Sequence, residues 1–163
     1  MDHLTYGVAT TKDIAFIQAT YHENIDKLHG IQRNAAYWET QLAERDRTYY
    51  VVNATTPVAW FRLDEEADEL WVGMLQVKPI CQRRGVGRYV LSVAEAIAKE
   101  KGYEKIGIHT TQDNFVARAL YESAGYRVTE IGPCTTADGV ERVGYTFQKE
   151  ISGDFLPESQ KGV

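Results

Sequence analysis

The chain has few cysteines, few prolines and no long apolar run. Cys81 and Cys134 are the only two cysteines in 163 residues, too few for the disulfide framework of a small secreted domain. We therefore expect free thiols in a reducing cytoplasm. No apolar run approaches the ~18 residues of a membrane span, and residues 1–6 lack the basic and apolar regions of a signal peptide. The sequence predicts a cytoplasmic protein with no membrane partner.

Positive charge is also scarce. Lys and Arg number 18 against 23 Asp and Glu, a formal net charge of −5, which argues against a general nucleic-acid partner. The apolar content of 44% is ordinary for a soluble domain. We predict one domain over residues 1–151. Residues 152–163 carry Gly, Pro, Ser and Lys with little apolar content, which predicts a flexible tail.

The spacing of apolar residues predicts the order of helices and strands. They recur at helical spacing from Ile14 to Leu28, after a cap at Thr10 or Thr11 and before Gly30. Further helices are predicted over 35–42, over 88–101 and after a cap at Asp113, and strands over 6–10, 48–53, 58–63, 69–77, 105–110, 126–131 and 142–151. The strand–helix–strand unit around 88–101 implies one parallel pair. The predicted class is α+β, or mixed α/β, with about seven mostly antiparallel strands and about four helices.

A glycine-bearing turn stands between a predicted strand and a predicted helix. It reads Gln82-Arg83-Arg84-Gly85-Val86-Gly87 and precedes Arg88. The first backbone N–H groups of a helix have no partner within the helix, so such a turn suits a phosphate. Three arginines in and after the turn add positive charge for an anionic ligand. The turn therefore predicts a phosphate-binding site.

A second motif lies about thirty residues further on. Asn114, Ala117 and Tyr121 are spaced i, i+3, i+7, which predicts that they share one helical face. The predicted apolar stripe of this helix is a different face, and Gly125-Tyr126 follows the helix. The stripe consists of Val116, Ala119, Leu120 and Ala124.

Together these motifs resemble the GNAT superfamily of N-acetyltransferases. Gln82, Gly85 and Gly87 match the family's Gln/Arg-x-x-Gly-x-Gly/Ala loop, and Val77 and Pro79 match the Val-x-Pro that often precedes it. The later motif matches in order and spacing through Asn114, Ala117, Leu120-Tyr121 and Gly125-Tyr126. The resemblance covers about residues 70–126. It implies a GNAT-like fold.

The resemblance also implies acetyl-CoA as co-substrate, without a metal. The pyrophosphate would lie on backbone N–H groups from about Arg83 to Arg88, and the pantetheine arm would pair with the strand edge, where an N–H near Leu75 polarises the thioester. Asn114 would bond the arm, and Tyr121 would bind the cofactor and protonate the leaving thiolate as catalytic acid. The implied cofactor-binding residues are Leu75, Gln76, Val77, Gln82, Arg83, Arg84, Gly85, Val86, Gly87, Arg88, Asn114, Ala117 and Tyr121.

The sequence departs from the family at the general base. Many relatives carry an ionisable residue on the central strand where this chain has Gly73 and Trp71, neither of which takes a proton. No base is therefore assigned, and Glu69, acting through water, and His109 stay open as candidates. Cys81 is interpreted as a packing residue. Direct attack by the amine is expected rather than an acyl-enzyme.

The acetyl acceptor is predicted to be a primary amine, on a small molecule or on an exposed part of a protein. The expected lining of its site comes from the N-terminal helices and the late hairpin, namely Tyr21, His22, His29, Tyr37, Trp38 and the Gly132-Pro133 loop. The resemblance makes a homodimer possible. Two other functions stay open, a non-catalytic acyl-CoA sensor and a nucleotide-binding domain that reuses the glycine turn.

Overall fold

Seven strands form one mixed sheet in a computed structural model that describes residues 3–151. Their spatial order is β1-β2-β3-β4-β5-β7-β6. They span β1 Thr5–Val8, β2 Arg47–Asn53, β3 Pro57–Glu66, β4 Glu69–Val77, β5 Lys105–Thr111, β6 Arg127–Thr135 and β7 Glu141–Glu150. β4 and β5 are parallel, and the other neighbours pair antiparallel. The predicted fold class is confirmed, while the predicted tail, residues 152–163, lies outside the described residues.

Residues 3–151 contain five α-helices rather than about four. They span α1 Ile14–Glu23, α2 Ile25–Leu28, α3 Ala35–Leu42, α4 Val86–Glu100 and α5 Phe115–Ser123. The predicted helix from Ile14 to Leu28 is divided at Asn24, whose backbone leaves helical geometry at φ −102° and ψ 6°. The buried Asn24 side chain bonds to β4 instead of pointing to solvent. Within the described range, no helix is long and apolar enough to span a membrane.

The sheet separates two apolar cores. Because alternate residues of a strand face opposite sides, the neighbours Trp60 and Phe61 of β3 are both fully buried but belong to different cores. α4 and α5 cover the side of Phe61, and α1 and α3 cover the side of Trp60. The two groups of helices thus lie on opposite faces of the sheet.

Helix α5 differs from its prediction at its start and on its buried face. The N-cap is Asn114, whose Oδ1 accepts from Ala117 N at 3.2 Å, and not Asp113. Asp113 pairs with His29 Nε2 at 2.9 Å, so its carboxylate is engaged elsewhere. The face that packs on the core carries Ala117, Leu120, Tyr121 and Ala124, whereas Val116 and Ala119 of the predicted stripe are exposed. The motif face and the core face are therefore largely the same face.

The parallel strands β4 and β5 part halfway along their length. Their pairing runs from Leu70↔Ile106 to Val72↔Ile108 and stops there, although β4 continues to Val77. The break coincides with Gly73, the extra residue of a β-bulge against β3. A bulge bends its strand, and here it follows directly on the last pair. A Cβ at Gly73 would collide with the Arg62–Asp64 ion pair, so a larger residue would have to displace that ion pair.

Candidate active site

The opening between β4 and β5 forms a cleft of about 460 Å³. It is bounded by the ends of both strands, the glycine turn and α5. All of the predicted cofactor-binding residues line this cleft except Arg84, which is exposed, and Val86, whose side chain is buried in the core. The fold therefore brings together two sequence motifs about thirty residues apart.

The open edge of β4 offers unpaired backbone groups. Lys78 N donates to Val58 O of β3 at 2.9 Å, and successive amides of a strand point to opposite edges. By this alternation, Leu75 and Val77 direct their backbone groups to the open edge. The Val77 carbonyl already accepts from Asn24 Nδ2 at 3.0 Å and Gln82 Nε2 at 3.1 Å. The N–H and C=O of Leu75 are left for an extended ligand.

The glycine turn presents a run of free N–H groups. Gln82 N donates to Pro79 O and Tyr89 N donates to Gly85 O, while within residues 3–151 the amides from 83 to 88 donate no hydrogen bond. Gly85 has φ 85°, in the left-handed region that favours glycine, and Arg83 also has a positive φ of 61°. This chain of donors at the positive end of α4 suits a phosphate.

The side chains of the turn have distinct surroundings. Arg83 and Arg88 line the cleft, and Arg88 also donates to Ser123 Oγ at 2.6 Å, which docks the turn onto α5. A Cβ at Gly87 would lie 2.9 Å from Leu120 Cδ2. The absence of a side chain at Gly87 therefore allows α4 to approach Leu120 of α5 closely.

A buried polar network that the sequence analysis missed holds the end of β4. Asn24 Nδ2 donates to Gln76 Oε1 at 3.0 Å, and Gln82 Nε2 donates to Asn24 Oδ1 at 3.3 Å. Lys27 Nζ donates to Gln82 Oε1 at 3.3 Å. The side chains of Gln76 and Gln82 are thus bonded within the protein. An Asn inside an apolar helical pattern was the available signal, since Asn side chains compete with the helix backbone.

Tyr121 lies in the wall of the cleft. It is 7% exposed, and its ring packs edge-on against Phe147 with centroids 5.5 Å apart. Its hydroxyl has no hydrogen-bond partner among residues 3–151, although the side chain lines the cleft. Burial raises the pKa of Tyr121 well above its ordinary value of 10, so the phenol keeps its proton at neutral pH. It can therefore donate a hydrogen bond or a proton into the cleft.

A second cavity of about 440 Å³ adjoins the cleft. It lies between α2, the end of β5 and the β6–β7 hairpin, and the two spaces share Lys27, Leu28, His109, Thr110 and Asn114. Of the predicted acceptor-site residues, Gly132 and Pro133 line this cavity. The other predicted residues line neither space, and these are Tyr21, His22, His29, Tyr37 and Trp38.

The aromatic residues of the N-terminal helices are used in packing instead. Trp38 is 1% exposed and contacts Tyr21 and Trp60 edge-on in the core under α1 and α3. The Tyr21 hydroxyl donates to Ile31 O at 3.0 Å. The connection that follows α2 is tied down by His29, whose carbonyl accepts from Asp138 N at 3.1 Å. These residues therefore serve packing and loop anchoring in this structure and line neither space.

A model of the acetyltransferase (GNAT) family matches residues 14–126. The chain belongs to this family. The predicted family and its enzyme class are thereby confirmed, and the fold agrees with solved structures of low sequence identity. The ribosomal-protein-S18-alanine N-acetyltransferase from Escherichia coli is 20% identical, with 96% of this chain and 97% of that chain covered and a TM-score of 0.74.

Two further proteins are similar to this GNAT-family chain. The structure of yncA from Salmonella typhimurium, solved with its cofactor acetyl-CoA, is 18% identical over 97% of this chain and 99% of that chain, with a TM-score of 0.74. The uncharacterized protein YxbD of Bacillus subtilis is 29% identical over 68 residues, which are 42% of this chain and 40% of that protein. The match thus spans well under half of the curated relative.

The two candidate bases of this GNAT-family chain differ in their position relative to the cleft and the second cavity. Glu69 begins β4, where its carboxylate lies 3.6 Å from Lys105 Nζ and accepts from Gln148 Nε2 at 3.2 Å, and it lines neither space. His109 lines both. Cys81 is buried in the core, as its interpretation as a packing residue requires. Among the described residues, no group of three His, Cys, Asp or Glu side chains is placed to hold a metal ion.

Proposed function

We propose that this protein transfers the acetyl group of acetyl-CoA to a primary amine by direct attack, with Tyr121 as general acid. The observation that carries the proposal is the cleft between β4 and β5. It combines an open strand edge, a run of unbonded amides at the start of α4, and a protonated phenol in one space. This combination fits a long anionic thioester better than a compact nucleotide.

The cleft offers acetyl-CoA a matching group for each of its parts. Amides of residues 83–88 would receive the pyrophosphate, with Arg83 and Arg88 adding charge at the rim. The pantetheine arm would pair along Leu75, and the free amide nitrogen of Asn114 would reach the arm from α5. The acetyl-CoA bound to the Salmonella protein of similar fold supports this assignment.

The residues then divide the chemistry between them. The N–H of Leu75 polarises the thioester carbonyl as the amine nitrogen attacks and the C–N bond forms. When the C–S bond breaks, Tyr121 gives its proton to the thiolate sulfur, and the tyrosinate later regains a proton from solvent. The amine must lose two protons overall if it arrives as ammonium. For a lysine-like amine, deprotonation of the ammonium at pH 7 costs roughly 4–5 kcal/mol.

The acceptor would enter through the second cavity. Its volume of about 440 Å³ and Glu130, the one acidic side chain among its described lining residues, support a compact amine or the end of a polypeptide rather than a bulky polyanion. The Escherichia coli protein of similar fold acts on a protein alanine, which keeps a protein amine among the candidates. The unpaired thiols of Cys81 and Cys134 support a cytoplasmic location. The homodimer that the family resemblance makes possible stays untested.

Binding and turnover together test this proposal. Acetyl-CoA is titrated calorimetrically, with ATP and NAD as comparison ligands, and acetylation of amines, polyamines, amino acids and peptide N-termini is screened by mass spectrometry. We expect acetyl-CoA alone to bind and at least one amine to gain 42 mass units, the mass of a transferred acetyl group. Binding without turnover of any amine would favour the acyl-CoA sensor, and binding of ATP or NAD without acetyl-CoA would overturn the proposal.

A further inference from the structure

His109 lies where the cleft and the second cavity meet. It follows Ile108, the last residue of β5 that pairs with β4. In the β5–β7 ladder, Ile108 is opposite Phe147 and His109 is opposite Thr146. Because strand residues alternate, Ile108 and Phe147 face the core beside Tyr121, whereas His109 and Thr146 face the other side of the sheet. His109 and Tyr121 thus flank the same opening from opposite faces.

The imidazole of His109 is held in one orientation. Its ring stacks on Trp71 with centroids 4.5 Å apart and planes 9° apart, and its Nδ1 lies 3.1 Å from Thr146 Oγ1. Trp71 can lie flat against β5 because residue 107 is glycine, since a Cβ there would collide with the indole. Nε2 has no hydrogen-bond partner among residues 3–151. With the proton on Nδ1, His109 donates to Thr146 and keeps a lone pair on Nε2.

Among the described residues, His109 carries the only imidazole that lines both spaces. Lys27 is the other titratable residue that they share, and its ammonium donates to Gln82 at 3.3 Å. The remaining titratable groups line one space each, namely Glu130, Cys134 and Tyr145 in the second cavity and Arg83, Arg88 and Tyr121 in the cleft. His109 is therefore the group best placed to take a proton between acceptor and thioester.

We propose that His109 is the catalytic base of the acetyl transfer, a role that rests on the proposed function. Nε2 takes a proton from the attacking amine nitrogen as the C–N bond forms, and Tyr121 protonates the departing sulfur from the opposite face. The imidazolium then releases its proton to solvent and the Tyr121 tyrosinate regains one from solvent, so the free amine and thioester yield amide and thiol without net proton change. Trp71 and Thr146 are positioning residues that fix the ring. Trp71 occupies a position where many relatives carry an ionisable residue. In this chain its ring stacks on His109, the proposed base on the neighbouring strand β5.

The test uses the amine that the wild-type protein acetylates fastest in the screen above, with thiol release followed from pH 6 to pH 9. For His109→Gln we expect kcat/KM to fall about 100-fold, and the loss of activity toward acidic pH to flatten. Acetyl-CoA binding should stay within about twofold, since the change leaves the turn at 83–88 intact. Added imidazole should restore part of the activity of His109→Ala. Thr146→Val should lose less activity than His109→Gln, and its activity should still fall toward acidic pH.

Lys105→Gln is the matched control, because Lys105 begins the same strand, is exposed and lines neither space. A His109→Gln rate within threefold of wild type would overturn the proposal. The proposal would also be overturned if the fall in activity toward acidic pH disappeared in Glu130→Gln but persisted in His109→Gln. That result would make Glu130 the base. If wild-type protein binds acetyl-CoA but acetylates no amine, the proposed function itself fails, and that failure is seen before any variant is made.

Discussion

The cleft and the second cavity meet at the parting of β4 and β5, but they are built from different parts of the chain. The cleft relies on main-chain groups, the amides of 83–88 and the free edge at Leu75, so its binding surface is set by backbone geometry. The second cavity is formed by side chains from α2, β5 and the β6–β7 hairpin. If the proposed function holds, the cofactor site would depend on the backbone geometry of a few residues, whereas the side chains of the acceptor site could vary with less effect on the fold.

Removing the phenol of Tyr121 should separate catalysis from binding most strongly. We expect Tyr121→Phe to lower kcat by roughly 100-fold or more, because the thiolate loses its proton donor, with little change in the Kd of acetyl-CoA. The matched control is Tyr126→Phe, a neighbouring buried tyrosine whose hydroxyl donates to Glu95 at 3.0 Å outside both spaces. Steady-state kinetics and calorimetry measure both variants. A normal kcat in Tyr121→Phe would remove it as the acid.

Backbone strain in the glycine turn should weaken acetyl-CoA binding in the cleft and leave the second cavity unchanged. Gly85 and Gly102, at the two ends of α4, both have φ 85° and open space where a Cβ would be. A Val at either position should cost about 1–3 kcal/mol of backbone strain. We expect only Gly85→Val to lose acetyl-CoA affinity, by about tenfold or more. Equal affinities of the two variants in calorimetry would show that the turn does not bind the phosphates.

Removing the network at Asn24 should loosen the end of β4. Asn24→Ala leaves the Gln76 side chain without its partner and removes one of the two donors to the Val77 carbonyl, at a cost of about 1–3 kcal/mol in the free energy of unfolding. Asn34→Ala, which removes the cap of α3, should cost about 1 kcal/mol. Denaturant titration compares their stabilities. Only Asn24→Ala should also raise the Kd of acetyl-CoA, and unchanged binding in it would exclude a role for the network in shaping the cleft.

The buried tyrosines beneath the cleft should make the fold sensitive to alkali. Burial raises the pKa of Tyr121, so above about pH 10 the folded state retains a proton that the unfolded chain releases. This contribution to stability is complete below pH 10 and declines as the pH rises further. The Tm should therefore fall between pH 10 and 11, and less steeply in Tyr121→Phe. An identical slope in both proteins would show that Tyr121 is not protected from ionisation.

The same contrast explains how far the sequence could predict the site. The turn at 82–87 and the face of Asn114 and Tyr121 are local patterns, and turn chemistry and helical spacing were enough to locate them. The position of Asn24 inside an apolar helical pattern was a local signal for the break. Its bonding partners on β4 and the junction at His109 depend on strands that meet only in the folded sheet, so spacing along the chain could not predict them. Asp113 and Asn114 are both residue types that cap helices well. Asp113 is instead engaged in an ion pair with His29, which is a tertiary contact that local sequence does not predict.

A crystal structure of the protein with coenzyme A tests the central claim most directly. The account predicts pyrophosphate oxygens within hydrogen-bond distance of amides between residues 83 and 88, and a pantetheine arm along Leu75 in the gap between β4 and β5. The sulfur should end beside the Tyr121 hydroxyl. Coenzyme A bound at another surface, with β4 and β5 closed against each other, would contradict the account.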